Sequence, residues 1–260
     1  MKRTKKIGVL DSGFGGLSVL SEMAREYPDA DYIYYGDLLN SPYGDKSREK
    51  VLHLTEDIVQ YFLHEAVDAV LIACNTATSA AAIELRSRYS LPIFGMEPAI
   101  KPAIIENPML NIAVFATSLT LKEEKFSRLE KSLNAGSVLH PVNCDGLSTL
   151  IDKEDIKGCI DYLDPKLSEL KEKKINIFVL GCTHYLLIRP LFFYMNPGIK
   201  LYDGNMGTIR HIAQSIQLGN GDMERESRID LVLNGGNEED FQIAYRYLNA
   251  NPREEQDYVR

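Results

Sequence analysis

Two cysteines stand where a thiol can do acid–base work. Residues 70–81 read VLIACNTATSAA: an apolar run stops at Cys74, and Asn75, Thr76 and small helix-tolerant residues follow. Residues 177–184 read IFVLGCTH, again an apolar run that stops at a cysteine, Cys182. Each pattern predicts a buried strand that delivers its cysteine to the mouth of a helix. A thiol there faces unpaired backbone N–H groups and the positive end of the helix dipole, which favour thiolate. The same N–H groups can hold a substrate carboxylate. Taken singly, either cysteine can be read as packing, because free Cys is commonly buried. Taken together they suit proton exchange at one carbon from both sides. A thiolate on one face removes a proton and a thiol on the other returns one. With an unperturbed pKa near ~8.5, cysteine can serve in either role near neutrality. The α-hydrogen of an amino acid is a very weak acid, so carboxylate-binding amides in a closed, dry cleft would have to stabilise the carbanionic transition state.

The spacing adds a second signal. Cys182 follows Cys74 by 108 positions, and Ile112-Ala113-Val114-Phe115-Ala116-Thr117 repeats Ile7-Gly8-Val9-Leu10-Asp11-Ser12 after 105. Two landmarks at nearly one offset predict an internal duplication. The expectation is two pseudo-symmetric α/β domains, each presenting one thiol to a shared cleft.

Other chemistry competes for the same residues. Asp11-Ser12-Gly13-Phe14-Gly15-Gly16 is a near miss to a dinucleotide loop: Ser18 occupies the third-glycine position, and Asp11 would repel a pyrophosphate. No Lys-Ser/Thr follows, so it is not a Walker A loop. As a plain strand–helix turn it would use glycine for positive φ. A better functional fit has Ser12 and the turn amides gripping a substrate while Asp11 acts on an ammonium group or a neighbouring thiol. Cys182-Thr183-His184 offers a metal two ligands, short of the usual set for structural zinc. A Cys–His nucleophile would explain Cys182 and His184 but leave Cys74 idle. His184 alone is as readily a capping or packed histidine.

The elements that must position these residues alternate along the chain. Strands are expected at 6–10, 31–35, 70–73, 92–95, 112–115, 138–141, 177–180, 199–202 and 229–233. Helices are expected at 17–27, 47–66, from Cys74 to about 89, 123–133, 155–173, from about 185, 208–217 and 239–248, with a turn at 41–44 and a loop at 219–226. Alternation of this kind implies mainly parallel sheets, whose ligands bind at the carboxyl ends of the strands. Asp11, Cys74, Thr117 and Cys182 all fall there. The expected domains are 1–96 plus 208–260, discontinuous, and 97–207.

Bulk properties exclude some functions. A net charge of −8 over 260 residues argues against a general nucleic-acid or anionic-membrane binder. No apolar run has the length of a transmembrane helix, and the apolar stretch after the basic start is too short for a signal peptide. A cytoplasmic protein is expected. Its four cysteines, Cys74, Cys144, Cys159 and Cys182, form no CxxC, and a reducing compartment disfavours disulfides.

With these residues in view, the chain resembles the cofactor-independent aspartate/glutamate racemase superfamily, and its glutamate racemases in particular. The matching segments, in family order, are Asp11–Gly16 as quoted above, Tyr35-Gly36-Asp37, Pro42-Tyr43-Gly44, Ala73-Cys74-Asn75-Thr76, Gly95-Met96-Glu97-Pro98, Ala116-Thr117 with Thr120, and Gly181-Cys182-Thr183-His184-Tyr185. Asn234-Gly235-Gly236 before Phe241 looks like the family's final strand–turn–helix. The resemblance implies that Cys74 and Cys182 are the two acid/base thiols, Asp11 assisting the first and His184 the second. It implies that Asp11, Ser12, Tyr43, Gly44, Asn75, Thr76, Thr117, Thr120, Thr183 and His184 line a glutamate site. It further implies interconversion of L- and D-glutamate for peptidoglycan synthesis without pyridoxal phosphate or metal, by a protein that is often a homodimer. Three positions depart from the pattern. Asp152 stands where the family commonly carries a glutamate that helps the second cysteine, with Glu154 close by. Leu186 follows Tyr185 in place of Pro, and Asn40 replaces a common Arg. Two rivals stay open: a racemase for aspartate or another amino acid, and a non-catalytic relative that binds an acidic ligand or protein partner.

Overall fold

Short runs of Val, Ile, Phe and Tyr separated by helix-forming segments fold here as parallel strands joined by crossover helices. The computed structural model describes residues 3–122, 139–219 and 225–250. They divide into two units, one holding 3–97 and the described residues from 205 onward, the other holding the described residues of 98–204.

The first unit begins with β1 (Lys6–Asp11), α1 (Leu17–Glu26), β2 (Asp31–Gly36), α2 (Arg48–His64), β3 (Ala69–Ile72), α3 (Asn75–Arg88) and β4 (Ile93–Gly95). The second contains α4 (Ile100–Glu106), β5 (Ile112–Ala116), α5 (Ser118–Leu121), β6 (Leu139–Asn143), α6 (Leu147–Asp152), α7 (Ile156–Glu172), β7 (Ile177–Leu180), α8 (Thr183–Leu187), α9 (Arg189–Met195) and β8 (Lys200–Tyr202). The chain then returns to the first unit with α10 (Asn205–Ile216), β9 (Ile229–Leu233) and α11 (Glu238–Asn249).

The two sheets run β4-β3-β1-β2-β9 and β6-β5-β7-β8, and every pairing in them is parallel. In each, the unit's second strand lies beside its first, followed by its third and fourth. The register repeats as well. Ile7 pairs with Ala69 and Leu10 with Ile72 in the first unit; Ile112 pairs with Ile177 and Phe115 with Leu180 in the second. The first strands are thus 105 positions apart and the third strands 108, the same offsets that the sequence carries. The α/β class, the parallel sheets and the repetition of one strand order in the two units are as expected.

Packing explains the strand composition. Strands β1, β3, β5 and β7 are covered on both faces, so Ile7, Val9, Val70, Leu71, Val114 and Val179 are completely buried. Gly8 leaves the space into which the Phe62 ring fits; an added Cβ would lie 2.7 Å from that ring. Helix starts follow local polar chemistry: Ser47 Oγ accepts the Lys50 N–H at 3.2 Å, and Asn237 with Asp240 closes a capping box at α11.

Differences from the sequence reading are local. Helices α4, α5 and α6 were not expected, and 116–120 reads as a turn in the sequence; at seven, four and six residues they are too short to display a helical period. The helix expected from about 185 is two, broken at Ile188, because Pro190 opens a new helix and cannot continue the old one. The helix expected at 123–133 lies outside the described residues, as do residue 138 and part of 219–226. Among the described residues no helix is long and apolar enough to cross a membrane.

Candidate active site

In the first unit, β1 and β3 deliver their carboxyl ends side by side. Leu10 pairs with Ile72, and the Ala73 N–H donates to the Leu10 carbonyl at 2.8 Å. Ser12 and Cys74, each two residues beyond that pair, therefore meet: Ser12 Oγ is 3.7 Å from Cys74 Sγ. Cys74 is the N-cap of α3, and its sulfur accepts the Ala77 N–H at 3.4 Å. That donor, at the positive end of a fourteen-residue helix, favours negative charge on the sulfur. Asn75 and Thr76 form the first turn of the same helix and are buried.

Asp11 ends β1 and is fully buried; its Oδ1 accepts the Gly13 N–H at 2.9 Å. Tyr34 on the neighbouring strand donates its hydroxyl to the Gly13 carbonyl at 2.6 Å, fixing the turn from the other side. The glycines of this turn are not there for positive φ, which corrects the sequence reading. Gly16 has φ −64°, and none of Gly13, Gly15 and Gly16 is left-handed. What Gly16 provides is room. A Cβ there would lie 2.8 Å from Asp11 Cβ and 3.0 Å from Ala73 Cβ, wedging apart the two strand ends that carry the site.

Tyr43 and Gly44 belong to a 3-10 turn, Tyr43–Asp45. Tyr43 is buried and donates its hydroxyl to Asp37 Oδ2 at 2.7 Å. Burial first, and then the bond to Asp37, hold this phenol far above its ordinary range, so it stays protonated.

The second unit builds the same edge. The Gly181 N–H donates to the Phe115 carbonyl at 2.7 Å, and Thr117 and Cys182 follow two residues beyond the Phe115–Leu180 pair. Thr117 caps α5 by accepting the Thr120 N–H at 3.4 Å, and the two threonine hydroxyls are 3.1 Å apart. Thr183 is buried in the first position of α8. His184, also buried, places Nδ1 3.9 Å from Cys182 Sγ. Its Nε2 lies 3.1 Å from Asp152 Oδ1, an ion-pair distance without the alignment of a hydrogen bond. Asp152 is the last residue of α6, while Glu154 is exposed at a left-handed backbone position, φ 52°.

The structure thus gathers Asp11, Ser12, Cys74, Asn75, Thr76 and Tyr43 in one unit, and Thr117, Thr120, Asp152, Cys182, Thr183 and His184 in the other. Two acidic residues escaped the sequence reading as site-builders. Asp145 accepts both the backbone N–H of Ser118, at 2.8 Å, and its hydroxyl, joining the loops after β5 and β6. Asp37, 2% exposed, binds Asn40, Tyr43 and Asn234. The Gly36-Asp37 and Asn234-Gly235 segments were visible in the sequence, but nothing there pairs residues 197 positions apart.

Among the described residues no three His, Cys, Asp or Glu side chains gather as a metal site requires. A hollow of about 450 Å³ elsewhere in the first unit lies beside Arg86, Glu97, Thr208 and His211, and Cys74 is not in its wall.

Burial pushes the Cys144 thiol up to about 12 and the Cys159 thiol up to about 11, so both stay protonated and unreactive near neutrality. They are 1% and 0% exposed, against 6% for Cys74 and 9% for Cys182. Brief alkylation at pH 8 followed by peptide mass spectrometry is expected to label Cys74 and Cys182 first. Earlier labelling of Cys144 or Cys159 would contradict the assignment of the accessible thiols.

The sequence model of the Asp/Glu/hydantoin racemases matches residues 7–210, a span that holds both cysteine edges. The chain belongs to this family. Among members of the racemase family, the glutamate racemase of Leptospira interrogans is 45% identical over 253 residues, covering 96% of this chain and 99% of that protein. The glutamate racemase of Clostridium botulinum is 38% identical over 252 residues, covering 94% and 97%. The crystal structure of Escherichia coli glutamate racemase in complex with L-glutamate and the activator UDP-MurNAc-Ala superposes with a TM-score of 0.82 at 26% identity, covering 94% of this chain and 96% of that one.

Proposed function

We propose that this protein is an isomerase that interconverts L- and D-glutamate by a two-thiol acid/base mechanism. The observation that carries the reading is the register match: Cys74 and Cys182 occupy equivalent positions beyond the third strand of each duplicated half. An enzyme that must approach one carbon from two mirror-related sides is served by such a pair. Near-full-length similarity to proteins named glutamate racemase supports glutamate over aspartate as the substrate.

In this reading Cys74 takes the α-proton from D-glutamate and Cys182 takes it from L-glutamate, each returning a proton in the opposite direction. Asp11 assists Cys74. His184, backed by Asp152, assists Cys182. Ser12, Tyr43, Gly44, Asn75, Thr76, Thr117, Thr120 and Thr183 bind the substrate; the helix-start N–H groups around Asn75 and Thr76 suit a carboxylate, and the buried hydroxyls suit the remaining polar groups. The thiols account for both protons, so the reaction calls for no cofactor. Supply of D-glutamate for peptidoglycan, a homodimer and a cytoplasmic location complete the proposal; the first two rest on the family resemblance and the third on the lengths of the apolar runs in the sequence.

The test is chiral chromatography of L-glutamate, D-glutamate and L-aspartate incubated with purified protein and no added cofactor. Racemisation of both glutamate enantiomers, with a higher kcat/KM than for aspartate, is expected. A preference for aspartate would overturn the substrate, and activity lost with EDTA and restored by a metal would overturn the mechanism.

A further inference from the structure

Asp37 is a carboxylate that the fold itself does not require. It is the first residue beyond β2, where its N–H donates to the Asp11 carbonyl at 3.0 Å. The equivalent position beyond β6 is Cys144, whose N–H donates to the Ala116 carbonyl at 3.0 Å in the same way. One topology therefore accepts either a charged or an uncharged side chain at this point. A carboxylate that is 2% exposed is costly unless its oxygens are satisfied, and these are. Oδ1 accepts Asn40 Nδ2 at 3.0 Å and Asn234 Nδ2 at 2.7 Å; Oδ2 accepts Asn40 Nδ2 at 3.1 Å and the Tyr43 hydroxyl at 2.7 Å. The donors come from the 3-10 turns after β2 and from the segment after β9. All of them converge on the Asp37 carboxylate, which through the Tyr43 hydroxyl ties in the turn that carries Tyr43 and Gly44.

The direction of the Tyr43 bond matters. A phenol has one proton, and Tyr43 gives it to Asp37. Its oxygen then has only lone pairs left for anything else that approaches.

We propose that Asp37 is a positioning residue for the substrate site, holding the Tyr43–Gly44 turn in place and fixing the Tyr43 hydroxyl as an acceptor toward the ligand. This rests on the racemase reading, in which Tyr43 and Gly44 line the glutamate site. Asp37→Asn is nearly isosteric but reverses the pattern. An amide nitrogen facing Tyr43 would donate to the phenol and free the phenol's proton to point away. The substrate would then meet a donor where it had met an acceptor.

Kinetics and calorimetric glutamate binding for wild type, Asp37→Asn, Tyr43→Phe and the double variant test this. Asp37→Asn is expected to raise KM, and the glutamate Kd, about tenfold while kcat changes less than about threefold. The double variant is expected to lose at least about fivefold less than the product of the single effects, because the two residues act as a unit. Should Asp37→Asn fail to fold, Asn40→Ala, which removes two of the bonds, takes its place with the same KM-weighted split expected. A fall in kcat at unchanged KM, or fully multiplicative effects, would overturn the proposal. A wild type that binds glutamate without racemising it would sink the racemase reading and leave the Kd comparison to decide the role of Asp37. A wild type that does not bind glutamate would overturn both.

Discussion

Replacing Cys74 by alanine is expected to abolish racemisation starting from either enantiomer, and replacing Cys182 is expected to do the same. A single thiol suffices to remove a proton in one direction, but turnover in that direction needs the other thiol to return one. Loss of a general acid or base costs about 10²–10⁴ in rate. Each variant should therefore fall about 10³-fold in kcat for both directions, the middle of that range, equivalent to about 4 kcal/mol of transition-state stabilisation. The fold should survive. Cys74 and Cys182 sit beyond strand ends with 6% and 9% of their surface exposed, so alanine removes a sulfur at a site edge and leaves the sheet cores intact. Circular dichroism melts separate the two effects: a melting temperature near wild type with activity lost is the expected pattern. A single variant that racemises at near the wild-type rate would return its cysteine to a packing role.

The second large effect is expected at Asp152. His184 is buried between two partners, with Nδ1 toward the Cys182 sulfur and Nε2 toward the Asp152 carboxylate. A carboxylate can only accept, so at 3.1 Å it favours a proton on Nε2 electrostatically even without an aligned hydrogen bond. In the proposed mechanism Nδ1, which faces the sulfur, then takes a proton from the thiol or hands one back. Asparagine at 152 can offer an N–H instead, which removes the charge and favours the other tautomer. An analogous carboxylate-to-amide change in a catalytic triad costs about 10⁴ in kcat. Here the contact is looser, and in the proposed mechanism the histidine assists rather than reacts, so about 10²-fold in kcat is expected, with KM changing far less. Steady-state kinetics from each enantiomer measure this. An unchanged kcat would remove Asp152 from the site and direct attention to Glu154.

The parts of this site that were legible in the sequence are those written locally. An apolar strand that stops at a cysteine is a short pattern, and both thiols could be read from it together with the helix that follows. The duplication was legible because the pairing of β1 with β3 is repeated in β5 with β7 and the crossovers between them differ in length by only three residues, which leaves nearly one offset in the sequence. What could not be read is chemistry assembled across the chain. Asp37 and Asn234 are neighbours only because β9 lies beside β2, a pairing that no motif announces. Asp152 was placed in the site by resemblance alone, as a helper of the second cysteine; its approach to His184 depends on α6, a six-residue helix below the length at which periodicity speaks. Gly16 was recognised as a turn residue for the wrong reason. Its missing side chain makes room for Asp11 and Ala73, a steric demand that exists only once the strands are packed.

The central claim is that two thiols serve opposite faces of one carbon. Its most direct measurement is α-proton exchange in D2O followed by NMR, starting separately from each enantiomer with the wild-type protein and sampling before equilibrium. The account predicts that the product enantiomer carries solvent deuterium at the α-carbon from the first turnovers, while the unreacted starting enantiomer keeps its protium. A product that retains the substrate's own proton, or a starting enantiomer that exchanges as fast as product forms, would mean that one base handles both faces and would contradict it.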